Sequence, residues 1–167
     1  TTHIKVKQIS KSLKSRTIIK KIKTFHRCYL QYFKKKPRIA VLGLNTHNFE
    51  NKKDSEEVKI ILPIVKKLKK KFRISGPYPS DTIFLKDNLK KFDVIVGMYH
   101  DQVLIPFKTL FHFDAINITL GLKYLRVSPD HGTAVDLIGK MKANPSSLIE
   151  CLNFMNKINK WKKKKNL

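Results

Sequence analysis

The chain has 167 residues, is 41% hydrophobic and carries a formal charge of +24, with a pI near 10.1. That apolar content is too high for a disordered chain and enough for a packed core. No apolar run is long enough to cross a bilayer, and the alternating opening "TTHIKVKQIS" is no signal peptide. The chain begins with Thr1, which is read as a start in the middle of something longer. The two cysteines, Cys28 and Cys151, form no C-x-x-C pair, so a disulfide framework or zinc ribbon is excluded and a reducing cytoplasm is expected.

The charge suggests nucleic acid first. Only five of the 36 basic residues are arginine (Arg16, Arg27, Arg38, Arg73, Arg126), and the rest are lysines scattered through every surface-like stretch. A phosphate or base reader would use more arginine, because its planar fork makes bidentate contacts. The composition is therefore read as drift that leaves non-specific polyanion binding as a side effect.

In chain order, apolar residues at helical spacing from Leu13 to Phe33 predict a helix over Ser10–Phe33, capped by Ser10 or Ser12. Pro37 breaks it, and Ile39 to Leu44 reads as a buried strand. "THNFENKKD" is a loop. A helix then begins at Ser55 with Glu56 and Glu57 in its first turn, and Pro63 imposes a kink or a late start. "SGPYPSD" reads as a turn and "TIFLKDNLKKF" as a short helix. "DVIVGMY" is a second buried strand, with "HDQ" in the loop beyond it. A strand from Ala115 to Leu120, a turn at Gly121, a short strand, a helix opening near Thr133 and a terminal helix capped by Asn144 complete the order. "KKKKNL" reads as a disordered basic tail.

Strands separated by amphipathic helices predict an α/β fold with a mainly parallel or mixed sheet, forming one unit over 1–160 with 161–167 as a tail. In such sheets ligands bind beyond the carboxyl ends of strands, where "NTHN" and "HDQ" fall. His3, His47, His100 and His131 lie at polar loops or strand ends; His26 is expected on the surface and His112 among aromatics. Spacing alone makes no metal motif of the histidines, because none follows another at helical ligand spacing. Lys108 and Arg126 are cations in apolar surroundings, which suits either a bound phosphate or carboxylate or an ordinary ion pair. The loop Asp130-His131-Gly132-Thr133, opening a helix, would suit a phosphate or adenosine group.

"TTH", "VLGLNTH", "SGPYPSDTIF", "MYHDQVLIPFK", "INITLGLKYLR" and "SPDHGTAVDL" occur in this order and resemble the 4-hydroxythreonine-4-phosphate dehydrogenases of pyridoxal phosphate biosynthesis. The resemblance covers nearly the whole chain and is to the C-terminal portion of that family. It implies a three-layer fold like that of isocitrate and isopropylmalate dehydrogenases, truncated at the N-terminus. It implies His3, His47 and His100 as ligands of a divalent metal (zinc, magnesium or cobalt), and Lys108, Asn117 and Arg126 as substrate contacts. Asp81 is implied as an acidic catalytic group, and Asp130, His131, Gly132 and Thr133 as contacts to NAD or NADP. The implied reaction is oxidation and decarboxylation of 4-phosphohydroxy-L-threonine to 3-amino-2-oxopropyl phosphate by a homodimer with a shared active site. Where the family carries a glycine-rich "AGEGG"-like loop, this chain has "NFENKKD", so the loop cannot trace the same path without strain. The family's first half is missing, which leaves an impaired enzyme, an inactive remnant or a basic nucleic-acid-binding module as alternative readings.

Overall fold

The computed structural model describes residues 3–163, so Thr1, Thr2 and the last four residues of the expected basic tail lie outside the described residues. The centre is a three-stranded parallel sheet of β1 (Ile39–Leu42), β2 (Ile74–Tyr78) and β3 (Val94–Val96), in the order β2-β1-β3. β1 is fully buried, as expected for the middle strand of a covered parallel sheet. Alternation along it divides two cores. Ile39 and Val41, with Ile74, Val94 and Val96, pack against Ile18 and Ile22 of α2 (Ser15–Phe33) and Ile64, Val65 and Leu68 of α3 (Leu62–Lys69). Ala40 and Leu42, with Ile95, pack on the other face against Ile83 of α4 (Ser80–Ile83), Phe84, Phe92 and Val103. Helix, sheet and helix therefore form the three layers that the sequence predicts.

Several elements differ from expectation. The first helix is interrupted: α1 (Ile9–Ser12) ends before Leu13, whose extended backbone turns its side chain into the core, and α2 restarts at Ser15 with no side-chain cap. "SGPYPSD" is not a turn over its whole length, because Ile74–Tyr78 forms β2. Gly76 there, at φ 132°, passes so close to β1 that a Cβ would lie 2.3 Å from the Val41 carbonyl oxygen. Pro77, lacking an N–H, is tolerated because β2 is an edge strand. Pro63 delays the regular helix: Glu57–Ile61 is π-helical and α3 starts at Leu62. Ser55 caps the segment, accepting the Val58 N–H at 3.2 Å. "TIFLKDNLKKF" divides into α4 and α5 (Lys86–Leu89).

The largest departure is that "HDQ" is no loop. Tyr99 is the N-cap and His100 opens α6 (His100–Phe111), with Pro106 inside it. β4 (Ile116–Thr119) and β5 (Arg126–Pro129) form an antiparallel hairpin covered by α7 (Ser146–Lys163). Asn144 caps α7 as expected, accepting the Ser146 N–H at 2.9 Å. The helix expected near Thr133 is only a single turn, Val135–Leu137. Cys28 and Cys151 are free and buried, and among the described residues no helix is long and apolar enough to cross a membrane.

Two buried polar side chains hold the carboxyl ends of the strands. Gln102 of α6 accepts the Met98 N–H (2.7 Å) after β3, and donates to the Gly43 carbonyl (2.7 Å) after β1 and to Ser80 Oγ (2.7 Å) after β2. Glu57, completely buried, accepts the Leu44 and Asn45 N–H groups at 2.6 and 2.8 Å and the Asn45 side-chain amide at 3.0 Å. Burial works to raise its pKa, but the hydrogen bonds from Asn45, its own backbone and Leu44 together outweigh that and hold it below the ordinary 4.5.

Replacing Gln102 by Ala leaves the Met98 N–H and Gly43 carbonyl unpaired in a closed interior, so it should cost about 3 kcal/mol in a urea titration. Glu57 is depressed in the folded state, so its contribution is present above pH 4.5 and is lost as pH falls below it. Glu57→Gln should therefore flatten the acid limb of a stability-versus-pH curve; an unchanged limb would show that Glu57 is not ionised in the fold.

Candidate active site at the strand ends

Three adjacent parallel strands end on the same side of the sheet, and each leads into one polar group. β1 leads to His47, β2 to Asp81 on α4, and β3 to His100 at the start of α6. His47 Nε2 stands 3.5 Å from Asp81 Oδ2, and both side chains are more than half exposed. His100 Nδ1 lies 2.7 Å from Asp101 Oδ1. The His3 ring meets the His100 ring with centroids 5.5 Å apart, beside a pocket of about 50 Å³ that Tyr99, Ile4 and Ile9 also line.

The fold thus gathers the three expected histidine ligands as a pair and a single: His3 with His100, and His47 with Asp81. Among the described residues no three of His, Cys, Asp and Glu form a metal-holding group. In donor chemistry the His3–His100 pair fits a borderline ion such as zinc, for which exposed imidazoles at a strand-end cleft are suitable ligands. Of the three expected ligands, His47 is the one that does not stand with the others.

The segment that carries His47 is unusual. Thr46–Asn51 coils as a 3₁₀ turn in which His47, Asn48, Glu50 and Asn51 have φ between 47° and 56°. Each non-glycine residue there costs on the order of 1 kcal/mol, and asparagine less. The backbone adopts left-handed geometry here without a single glycine, and so carries strain. Asn48 helps hold it: its side chain is buried, and its amide donates to the Pro77 carbonyl at 3.1 Å, joining the β1 and β2 ends. Its Oδ1 has no partner and lies against Gly43, where a Cβ would come within 2.1 Å of it. Only glycine fits at 43.

The remaining expected residues cluster around the hairpin. Asn117 pairs with Ser128, and Thr119 with Arg126, so all four share one face. Arg126 Nη1 donates to Thr119 Oγ1 at 3.1 Å and is otherwise exposed. Lys108 extends from α6 to Asp130, with Nζ 2.6 Å from the carbonyl oxygen and 3.1 Å from Oδ2. The ordinary ion pair of the two sequence alternatives therefore forms. Asp130 is held in turn by Ser147, whose buried hydroxyl accepts the Asp130 N–H (2.9 Å) and donates to the Ala115 carbonyl (2.5 Å). His131, Gly132 and Thr133 are exposed, and nothing lies within 4 Å of a Cβ built on Gly132. Without a helix behind them they have no helix N-terminus to offer a phosphate.

Two histidines correct the sequence reading. His26 is buried on α2 against Phe72, with ring centroids 4.2 Å apart, and burial with the nearby Lys36 charge lowers its pKa. His112 is exposed at φ 46° instead of packed among aromatics. Sequence reasoning also missed Gln102, Glu57, Asn48 and Ser147 as organisers of the site. Gln102 carried one signal: a polar residue after Asp101 and directly before the apolar run Val103-Leu104-Ile105.

The pyridoxal phosphate biosynthetic protein PdxA family model matches residues 1–155. A 4-hydroxythreonine-4-phosphate dehydrogenase from Sulfurihydrogenibium is 46% identical over 155 residues, 91% of this chain and 48% of that protein. The one from Aquifex aeolicus is 42% identical over 157 residues, 93% of this chain and 48% of that protein. A solved 4-hydroxythreonine-4-phosphate dehydrogenase from Klebsiella pneumoniae superposes with a TM-score of 0.80 at 36% identity, covering 94% of this chain and 48% of that one. The chain spans about half the length of the curated relatives it matches. With a matching sequence over nearly its whole length and a matching fold, the chain belongs to the PdxA family of pyridoxal phosphate biosynthetic proteins.

Proposed function

We propose that this chain supplies the metal- and substrate-binding part of an NAD- or NADP-dependent dehydrogenase. That enzyme oxidises and decarboxylates 4-phosphohydroxy-L-threonine to 3-amino-2-oxopropyl phosphate. The observation that carries the reading is that His47, Asp81 and His100 each follow the carboxyl end of one of three adjacent parallel strands, in a chain of this family.

His3, His47 and His100 would hold the divalent ion, which would supply Lewis-acid polarisation of the substrate hydroxyl and of the carbonyl formed from it. Asp81, in contact with His47, orients that imidazole and is available to the substrate amine. Arg126 and Asn117 share a face of the hairpin and suit anionic and hydroxyl groups of the substrate. Lys108 would exchange its Asp130 partner for the substrate phosphate, a like-for-like replacement of one anion by another. In the reaction a hydride leaves the carbon bearing the 3-hydroxyl for the nicotinamide, the hydroxyl proton is released, and the resulting 3-keto acid loses carbon dioxide.

The reading includes partners. β3 is an edge strand among the described residues, and an apolar groove flanks it on each face. One, of about 380 Å³, runs between β3 and Leu13, Ile18, Ile22 and Phe25. The other, of about 500 Å³, lies between β3 and Phe84, Leu89, Phe107 and Phe111. An open edge between two apolar grooves supports docking of the half of the family's length that this chain does not span. A homodimer sharing its active sites, as the resemblance implies, would complete the assembly.

Zinc titration by calorimetry tests the ligands: His47→Ala and His100→Ala should each weaken binding at least about tenfold, and unchanged affinity in both would remove the assignment. For catalysis, the chain alone with substrate, oxidised cofactor and zinc or magnesium should produce no reduced cofactor. Adding a polypeptide with the N-terminal half of the Aquifex relative should restore turnover; continued silence would sink the enzyme reading.

A further inference from the structure

We propose that the outer face of α2 and the adjoining end of α3 form a groove that binds a nucleic-acid strand through its phosphates. The groove, of about 700 Å³, is lined by Arg16, Lys20, Lys23 and Arg27 of α2 and by Lys67 of α3, with Ile19 and Thr24 between them. Positions 16, 20, 23 and 27 recur at helical spacing and stand on one face, opposite the buried Ile18 and Ile22.

These cations differ from the rest of the basic surface in two ways, and a third feature leaves them free to bind. Like most of the basic surface they lack an anionic partner: among the described residues none of the five has a carboxylate within ion-pairing distance. They converge: four come from one stripe and the fifth from a second helix. They are rich in arginine: Arg16 and Arg27 are two of only five arginines in the chain. Compositional drift toward lysine accounts for scattered charge, but not for arginine collected in one groove. Like charges at i,i+4 with no compensating anion destabilise the helix that carries them, and a bound polyanion removes that repulsion.

The dimensions suit a strand. From Arg16 to Arg27 the helix rises about 16 Å. A stacked strand places one phosphate per ~3.4 Å, so that length faces about five phosphates. No aromatic side chain lines the groove, so there is no platform for base stacking, and binding through the backbone alone reads no sequence.

The test is fluorescence anisotropy with a labelled oligouridine of about 20 nucleotides, from roughly 50 to 200 mM salt. The full chain is compared with R16Q/K20Q/K23Q/R27Q and with a charge-matched control, K53Q/K86Q/K140Q/K142Q. Circular dichroism melts establish that both variants are folded. At the upper salt the groove variant should bind at least about tenfold more weakly, and its salt slope should be shallower by about 3, since each phosphate contact on a single strand contributes about 0.7. The control should stay within about twofold. Equal losses in the two variants would mean a diffuse field and no groove site. Absence of saturable binding by the unmodified chain, or equal displacement of the oligonucleotide by polyglutamate at the same charge concentration, would also overturn the proposal.

Discussion

The structure depends on the bonding of one buried amide. Gln102 is the only side chain among the described residues that bonds to segments following all three parallel strands, through the Met98 N–H, the Gly43 carbonyl and Ser80 Oγ. Parallel strands end with unpaired backbone groups, and a cleft at those ends can stay open only if something other than another strand satisfies them. Gln102 does so from inside. It sits in the first turn of α6, two residues after His100, so the bond that closes the sheet also fixes the start of the helix carrying a candidate ligand. Glu57 does the same for Leu44 and Asn45, just before His47. The exposed groups of the cleft therefore rest on a buried polar layer in which the Gln102 amide and the Glu57 carboxylate are paired. A carboxylate with no measurable exposure can stay charged there because three N–H donors replace the water it has lost.

What could be read from the sequence follows from what is local. β1, the main helices and the hairpin show as apolar periodicity, and the Ser55 and Asn144 caps as single residues at helix starts. β2 could not be read this way. Its five residues include Gly76 and Pro77, which locally signal a turn, and it is a strand because β1 lies beside it and admits only a glycine at 76. α6 was obscured for the opposite reason: Pro106 and three polar residues at its start look like a loop, while its packing against the second core fixes it as a helix. The candidate site divides along the same line. His47, Asp81 and His100 were found because motifs carry them. Apart from the Met98 N–H four residues before Gln102, the partners of Gln102, Glu57 and Asn48 lie 12 to 59 residues away, which no local pattern records.

The chain is not equally self-sufficient along its length. Around β1 both faces of the sheet are covered, β3 at the edge is half-buried, and the polar groups at the strand ends are largely paired within the chain. From Val135 to Leu152 the balance reverses. Val135, Ile138 and Met141 are 66%, 74% and 99% exposed, and Leu148 and Leu152 on α7 are more than half exposed. Apolar side chains exposed along a loop and one helix face expose area that a folded monomer normally covers. The candidate ligands rest on the first region, and the residues implied for cofactor contact, Asp130 to Thr133, adjoin the second. The proposed ion and cofactor sites therefore depend differently on a partner surface: the strand-end cleft is braced from within, whereas the loop beyond β5 has only Ser147 and Lys108 to hold its first residue and open space around Gly132. A partner that covers the apolar stretch would meet the loop beyond β5 first, leaving the bonds beneath the histidines as they are.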